Sequence, residues 1–165
     1  MKKIVVTLLV LLGGIASSNA QEISKNAIGI RTGGGSGFGT EISYQRDLGA
    51  NNRLELDLGY ESGKHFDGFK ATGIYQWIWN LEGSFNWYAG AGGGLGSSNL
   101  DADFPGRERF NNDSETFFFA AGQVGIEYHF DIPLLLSLDI RPEFNFGDFR
   151  DGNDLDIALG IRYQF

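Results

Sequence analysis

The chain has 165 residues, with 21 acidic and 13 basic side chains, 25 glycines, 14 phenylalanines and no cysteine. The length allows one ordinary domain, and a mean hydropathy of -0.17 excludes a protein built of several membrane helices. The absence of cysteine excludes disulfide scaffolds, cysteine-ligated zinc sites, thiol nucleophiles and lipoprotein anchors. The net charge of -8 argues against a nucleic-acid partner, because nucleic acids bind to basic patches.

The first twenty residues have the pattern of a secretory signal peptide. Two lysines precede an apolar stretch over 4–15, and Ser18 and Ala20 place small residues before the expected cleavage point. The apolar run is shorter than the roughly 20 residues that a membrane-spanning helix needs. We therefore predict that residues 1–20 are a cleaved signal peptide and that residues 21–165 form the mature domain.

The rest of the chain alternates with a period of two. In the last segment, apolar side chains from Leu155 to Phe165 alternate with small or charged ones from Asp154 to Gln164. This run is longer than the roughly 5–6 residues of a typical soluble strand. Seven earlier segments repeat the pattern, at 28–31, 38–45, 54–61, 69–79, 85–95, 117–130 and 134–146. The pattern predicts eight strands and no amphipathic helix in the mature chain.

The connections between these segments differ in length and composition. We predict short turns at 48–52, 80–83 and 131–133, longer loops at 62–67, 97–113 and 147–153, and an exceptionally short connection at 33–37. Short turns at one end and longer loops at the other are typical of a membrane barrel, in which the turns and both termini are periplasmic. Pro142 lies on an apolar face and cannot donate a ladder hydrogen bond, so we expect a β-bulge there.

The two faces favour a membrane barrel over a soluble one. A lipocalin-like barrel would point its apolar side chains inward, but eight strands leave an interior only just wide enough for side chains. The large apolar face would overfill that space. Aromatic residues also gather at the expected periplasmic rim, as in an aromatic girdle: Tyr75, Trp77, Trp79, Phe85, Trp87, Tyr128, Phe130, Tyr163 and Phe165. The predicted fold is all-β, an eight-stranded antiparallel up-and-down transmembrane β-barrel.

Titratable side chains collect on the predicted interior face. They are Arg31, Glu41, Glu55, Asp57, Glu61, Lys70, Glu127, His129, Asp139, Arg141, Glu143, Asp156 and Arg162. Because unpaired buried charge is costly, we interpret them as an ion-pair network that plugs the lumen. Acids outnumber bases, so some carboxylates are expected to hold a proton, water or a cation. The alternative is a narrow cation-preferring pore, favoured by the room that Gly90, Gly92 and Gly94 leave inside.

The longest predicted outward segment, 97–113, is the best candidate for contact with a partner. It carries mixed charges and two aromatic anchors, at Asp101, Asp103, Phe104, Arg107, Arg109 and Phe110. Asp148, Asp151, Asn153 and Asp154 could offer oxygens to Ca²⁺, but they do not follow the EF-hand spacing. A plain turn is the favoured interpretation, and we predict no metal site and no cofactor.

Taken together, the signal peptide, the eight alternating segments and the short turns resemble the small eight-stranded outer-membrane barrels of Gram-negative bacteria, of the OmpX and OmpA transmembrane-domain type. The most specific match is Gly160, Tyr163 and Phe165, which fit the family's C-terminal assembly signal, whereas Ala158 stands where the family often has a polar residue. The glycine- and aromatic-rich composition is also similar to barrel-domain proteins of Bacteroidota. The resemblance implies an outer-membrane location, contact with outer-membrane lipid and lipopolysaccharide, insertion by the barrel-assembly machinery, and other outer-membrane proteins as partners.

Two enzyme families of this size, the lipid A palmitoyltransferase and deacylase barrels, provide an enzymatic alternative. Acyl transfer needs a nucleophile or activated water together with an oriented base. His129 is followed by an aromatic residue and an acid, not by the deacylase His-x-Ser pattern. His65 with Ser62 and Asp67 superficially resembles the palmitoyltransferase set, but three polar residues in one loop are common by chance. We predict no catalytic residue, and a role in envelope structure, in surface interaction or as an accessory subunit.

Overall fold

The structure is a computed structural model that describes residues 24–35, 39–63, 66–100, 114–146 and 152–165. Its eight strands form a closed barrel in which each strand pairs with its neighbours in chain order. The strands are β1 (Asn26–Gly34), β2 (Thr40–Gly49), β3 (Asn52–Gly63), β4 (Phe66–Glu82), β5 (Phe85–Leu100), β6 (Ser114–His129), β7 (Leu134–Phe146) and β8 (Gly152–Gln164). All pairs are antiparallel, so the predicted all-β up-and-down barrel is confirmed.

Within the described ranges, no helix is long and apolar enough to cross a membrane. The predicted signal peptide at 1–20 lies outside the described residues.

The first and last strands close the barrel. β1 pairs along its other edge with β8, with Ile30 opposite Ile161. Backbone hydrogen bonds from Asn26 N to Phe165 O (3.0 Å) and from Phe165 N to Asn26 O (2.9 Å) finish the seam. β1 has only 9 residues, whereas β4 has 17. The wall is therefore taller on the side of β4, β5 and β6 than at the seam.

The two faces of the wall have opposite polarity. Side chains at alternate positions are buried and mostly polar inside the barrel, whereas their neighbours are apolar and exposed. Ile42 and Leu58, for example, are 60 % and 59 % exposed, whereas Glu41 and Asp57 beside them are each 1 % exposed. This is the reverse of a soluble protein, in which large apolar side chains gather inside.

The turns at the end where β1 begins and β8 ends are tight. β2 and β3 are joined through Ala50 and Asn51, which both have positive φ values of 53° and 62°. Two positive φ values match the twist that a two-residue hairpin turn requires. β4 continues to Glu82, so its turn to β5 consists only of Gly83 and Ser84. These turns are shorter than the predicted ones because the strands extend into them.

The predicted longer loop at 62–67 is wrong. Ser62 pairs with Asp67, and Gly63 pairs with Phe66, so β3 and β4 continue as one ladder almost to their connection. Backbone pairing does not depend on the polarity of the side chains, and the polar composition of this segment was a poor guide. In the same way, 97–100 belongs to β5, and only 101–113 of that predicted loop lies outside the described residues.

The β-bulge expected at Pro142 is also wrong. Ala121 pairs with Glu143 and Val124 pairs with Ile140, so the register between β6 and β7 is the same on both sides of the proline. A Cβ on Gly122 would lie 3.6 Å from Pro142 Cγ, so this glycine stands beside the ring. The proline interrupts the ladder, but it does not insert a residue into the strand.

Candidate functional site

Arg31 of β1 is the centre of the largest group of buried charges. Its guanidinium donates hydrogen bonds to Asp139 of β7 (2.5 Å), Asp156 of β8 (2.6 Å) and Glu41 of β2 (3.0 Å). All four side chains are almost completely buried. One cation therefore connects four strands, including the two that close the barrel.

Arg141 of β7 extends this group towards β3. It donates hydrogen bonds to Asp57 (2.5 Å), Glu55 (2.9 Å) and Glu41 (3.3 Å). Glu41 Oε2 accepts hydrogen bonds from both Arg31 and Arg141, so the two groups are continuous. We call the buried cations Arg31, Arg141 and Arg162, with their carboxylate partners, the arginine network.

Arg162 of β8 completes the arginine network. It donates hydrogen bonds to Ser137 (2.8 Å), Ser43 (2.9 Å) and Glu55 (3.0 Å). Gly160 lies two residues earlier on the same interior face, where a Cβ would collide with Ser137 Oγ and with the guanidinium of Arg162. This glycine of the predicted assembly signal therefore also leaves room for Arg162.

Arg53 is a buried interior residue that the sequence pattern did not reveal. It donates hydrogen bonds to Gln76 (2.7 Å) and Glu127 (2.8 Å), and His129 Nε2 lies 3.1 Å from the other oxygen of Glu127. Arg53 was missed because it follows a predicted turn directly. Its position two residues before Glu55 was the available signal, since alternate residues of a strand share a face.

Neutral amides connect this group with the arginine network. Gln76 donates to Gln123 (2.7 Å), and Gln123 donates to Glu55 (3.0 Å). Gln45 donates to the other oxygen of Glu55 at 2.6 Å. An amide both donates and accepts, so it extends a buried network without adding charge. Selection of titratable residues alone overlooked these glutamines.

At two positions, the glycine row of β5 makes room for side chains of the neighbouring strands. Phe117, Phe119, Ile74 and Ala121 form a buried apolar group, which we call the ring cluster. A Cβ on Gly94 would lie 2.6 Å from Phe119 Cζ, and a Cβ on Gly90 would lie 2.7 Å from Ile74 Cγ2. The room that the glycines provide at these two positions is occupied by side chains from β4 and β6.

Lys70 of β4 joins the ring cluster to the charges. Its ammonium donates a hydrogen bond to Glu143 at 2.7 Å and lies 3.5 Å from Glu41 Oε1. It also lies 5.3 Å from the ring centroid of Phe119, within range of a cation–π interaction. Lys70 therefore lies between the arginine network and the ring cluster.

Of the predicted interior residues, all but one have described side chains, and the structure buries each of these inside the barrel. The exception is Glu61, whose side chain lies outside the description. The predicted partner residues at 101–110, together with His65, Asp148 and Asp151, also lie outside the described residues. Among the residues that are described, no group of three or more His, Cys, Asp or Glu side chains is placed to hold a metal ion.

On the outer face, aromatic rings cluster near the tight turns. Trp79 and Trp87 stack with ring centroids 4.3 Å apart, and Tyr128 lies between Phe85 (4.6 Å) and Phe130 (4.7 Å). Further pairs at the same end are formed by Tyr75 with Trp77 and by Tyr163 with Phe165. These rings are the predicted girdle, and they include two residues of the predicted assembly signal.

No protein-family model matches the chain, and no curated protein matches it. Among solved structures, the chain is similar to Neisserial surface protein A, with 14 % identity, a TM-score of 0.59 and coverage of 85 % of this chain and 94 % of the other. The N-terminal β-barrel domain of Pseudomonas aeruginosa OprF gives 15 % identity, a TM-score of 0.60 and coverage of 87 % and 100 %. Ail, the attachment invasion locus protein of Yersinia pestis, gives 13 % identity, a TM-score of 0.55 and coverage of 86 % of this chain and 97 % of the other. The chain thus has the fold of small eight-stranded outer-membrane barrels.

Proposed function

We propose that this chain is an integral outer-membrane barrel whose lumen is closed by its own side chains, and that it acts through the surfaces it presents, without catalysis. The observation that carries the proposal is the inverted polarity of the wall, with apolar side chains exposed outside and charges buried inside. A closed barrel satisfies its backbone hydrogen bonds internally, as a membrane requires. In a membrane, lipid hydrocarbon surrounds the wall, so the apolar side chains on its outer face are not exposed to water.

The shared fold supports an outer-membrane location and an orientation. The tight turns lie at the same end as the start of β1 and the end of β8. In bacterial barrels the short turns are periplasmic and the longer loops are extracellular. On this basis we propose that the start of β1 and the end of β8 lie on the periplasmic side with the girdle, and that the opposite ends of the strands lie on the outer side.

The buried side chains support a closed lumen. The arginine network reaches from β1 across to β3 and β7, and the ring cluster occupies the space beside β5. An eight-stranded barrel has room for little besides its own side chains. Opening a path through the interior would require several buried ion pairs to break, each of them costly to leave unpaired.

On this proposal, the closed barrel works through contacts and not through catalysis. Its wall contacts outer-membrane lipid and lipopolysaccharide, and the girdle with Gly160, Tyr163 and Phe165 is available to the barrel-assembly machinery during insertion. Outward loops carried on a rigid barrel suit recognition. We propose a role in envelope structure, in surface interaction or as an accessory subunit of a larger outer-membrane assembly.

Fractionation tests the location and the partner. The tagged protein should remain in the outer-membrane fraction after alkaline carbonate washing, and gentle solubilisation followed by mass spectrometry identifies what co-purifies. A stoichiometric outer-membrane protein would support the accessory role, and a lone barrel would favour envelope structure or surface interaction. Recovery in the soluble periplasmic fraction would contradict the membrane proposal and support a lipocalin-like barrel.

Planar-bilayer recording tests the closed lumen. The purified wild-type barrel should give no steady single-channel current. Arg141→Ala removes the side chain that contacts three carboxylates, so we expect measurable channel steps from this variant. Arg46→Ala is the matched control, because Arg46 is exposed and contacts only Asn26 among the partners described. Steady cation-selective steps from the wild type would support the pore instead.

A further inference from the structure

Polar residue pairs limit the outer face of the β1–β2 hairpin at two levels. At the girdle end, Asn26 is directly opposite Arg46 and accepts a hydrogen bond from it at 2.7 Å. Further along β1, Thr32 is directly opposite Thr40, and their exposed hydroxyl oxygens are 3.0 Å apart. We call these the lower and the upper polar pair. The outward-facing pairs between them are Ile28 with Tyr44 and Ile30 with Ile42.

The apolar face of β7 and β8, beside this hairpin, is longer. It has five consecutive outward-facing pairs with apolar or aromatic side chains: Leu134 with Tyr163, Leu136 with Ile161, Leu138 with Leu159, Ile140 with Ile157, and Pro142 with Leu155. Thr32 is opposite Leu159, so β8 continues with exposed apolar side chains beyond the level at which β1 becomes polar. The apolar face therefore loses height where the wall passes from β8 to β1 and β2.

The two polar pairs are too close together for a bilayer of normal thickness. Asn26 and Thr32 are six residues apart, which is roughly 20 Å along a strand that rises about 3.3 Å per residue. At a strand tilt of about 40° this gives a height of roughly 15 Å, whereas the apolar band of an outer-membrane barrel is about 25 Å tall. Because the lower polar pair lies at the girdle, the missing height is on the outer side.

The backbone just beyond the upper polar pair is also unsuited to hydrocarbon. β1 ends at Gly34 and β2 begins at Thr40, and the exposed Gly35 and Gly39 lie outside both strands. Irregular backbone that faces lipid does not occur in the hydrocarbon region, because its polar groups need water or headgroups as partners. The headgroup region must therefore reach down to this hairpin.

A bilayer adapts to a short apolar surface by becoming thinner beside it. We infer that the outer leaflet is thinned next to β1 and β2, so that lipid headgroups and their water contact Thr32 and Thr40. The inference rests on the membrane location proposed above, and it assigns to one side of the barrel a different lipid surface from the rest.

Spin-label accessibility in reconstituted liposomes measures the depth of chosen positions. The chain has no cysteine, so a single introduced cysteine is labelled uniquely. Thr32→Cys and Thr40→Cys place the label on the upper polar pair. Ile140→Cys is the matched control, because Ile140 is exposed and lies six residues after the start of β7, as Thr32 lies six residues after the start of β1.

The labels at positions 32 and 40 should collide more often with a water-soluble nickel chelate than with oxygen, which dissolves in hydrocarbon. The label at position 140 should show the opposite preference, so the ratio of nickel to oxygen collisions should be several-fold higher at the polar pair. Gly34→Cys repeats the measurement without changing either threonine, since an added Cβ there meets nothing within 4 Å. It carries the test if the threonine variants do not fold.

Three other results would overturn the inference. A preference for oxygen at all of these positions would mean a bilayer of even thickness, and the membrane location would stand. Low accessibility of the labels on β1 and β2 to both reagents would mean that a second barrel, rather than thinned lipid, covers this face. A preference for the nickel chelate at position 140 as well would contradict the membrane location itself.

Discussion

The arginine network and the ring cluster are both buried inside the barrel, but they are packed in opposite ways. In the arginine network, long charged side chains reach across the barrel, and each one is held by partners from several strands. In the ring cluster, Phe117 and Phe119 of β6 pack against glycines of β5. The first filling is therefore expected to be sensitive to removal of side chains, and the second to their addition. In the arginine network, the positions of the side chains are determined by charge pairing. In the ring cluster, they are determined by the space that the glycines leave because they have no Cβ atoms.

The largest effect should come from deletion in the arginine network. Arg31→Ala leaves Asp139, Asp156 and Glu41 without a shared cation, and removal of one partner from a buried ion pair costs about 3–5 kcal/mol. Urea unfolding in micelles measures the loss. Arg46→Ala, at an exposed position, should change the free energy of unfolding by no more than about 1 kcal/mol. Equal losses in the two variants would contradict the distinction.

The next effect should come from addition in the ring cluster. A Cβ on Gly96 would collide with the Phe117 ring and lie 3.0 Å from Phe69 O, so Gly96→Ala should cost about 1–3 kcal/mol by overpacking. Gly73→Ala is the control, because its Cβ would meet only Leu56 Cδ2 at an ordinary 3.5 Å. The same unfolding assay should find the control within about 0.5 kcal/mol of wild type. If Gly96→Ala were as stable as the wild type, the Phe117 ring would have room to move aside.

The smallest effect should lie at the boundary, where Lys70 faces Phe119. A double-mutant cycle with Lys70→Met and Phe119→Leu should give a coupling of about 1 kcal/mol, the size expected for a cation–π contact. The control cycle pairs Phe119→Leu with Arg46→Ala. Those residues share no contact in the structure as described, and the two changes should add within about 0.5 kcal/mol. Additivity at Lys70 as well would mean that the two fillings are energetically independent.

Period-two alternation predicted the number of strands and the side of the wall for residues within them, and the pattern of turns and loops predicted their order. Residues at strand ends were harder, because their composition resembles that of turns. Arg53 was excluded from the interior, and 62–67 was assigned to a loop, for this reason.

The pairing inside the lumen could not be predicted from the sequence. That Arg31 contacts Asp139 rather than another carboxylate depends on how far each strand is shifted along its neighbours when the barrel closes. Likewise, the glycine row of β5 has an obvious small-residue pattern, but its meaning depends on which side chains of β4 and β6 face it. The alternation along one strand predicts the face on which a side chain lies, but it does not predict which side chain it contacts across the barrel.

The position of Arg31 in the chain has a consequence for the order of folding. Its partners Asp139 and Asp156 follow it by 108 and 125 residues, and they lie in the last two strands. Contacts between such distant residues form late, because the loop between them must close first. Until the final hairpin arrives, the cation of the first strand has only Glu41 of the neighbouring strand as a carboxylate partner. An incomplete barrel lacks two of the carboxylates that bind Arg31, and only the complete barrel provides all three.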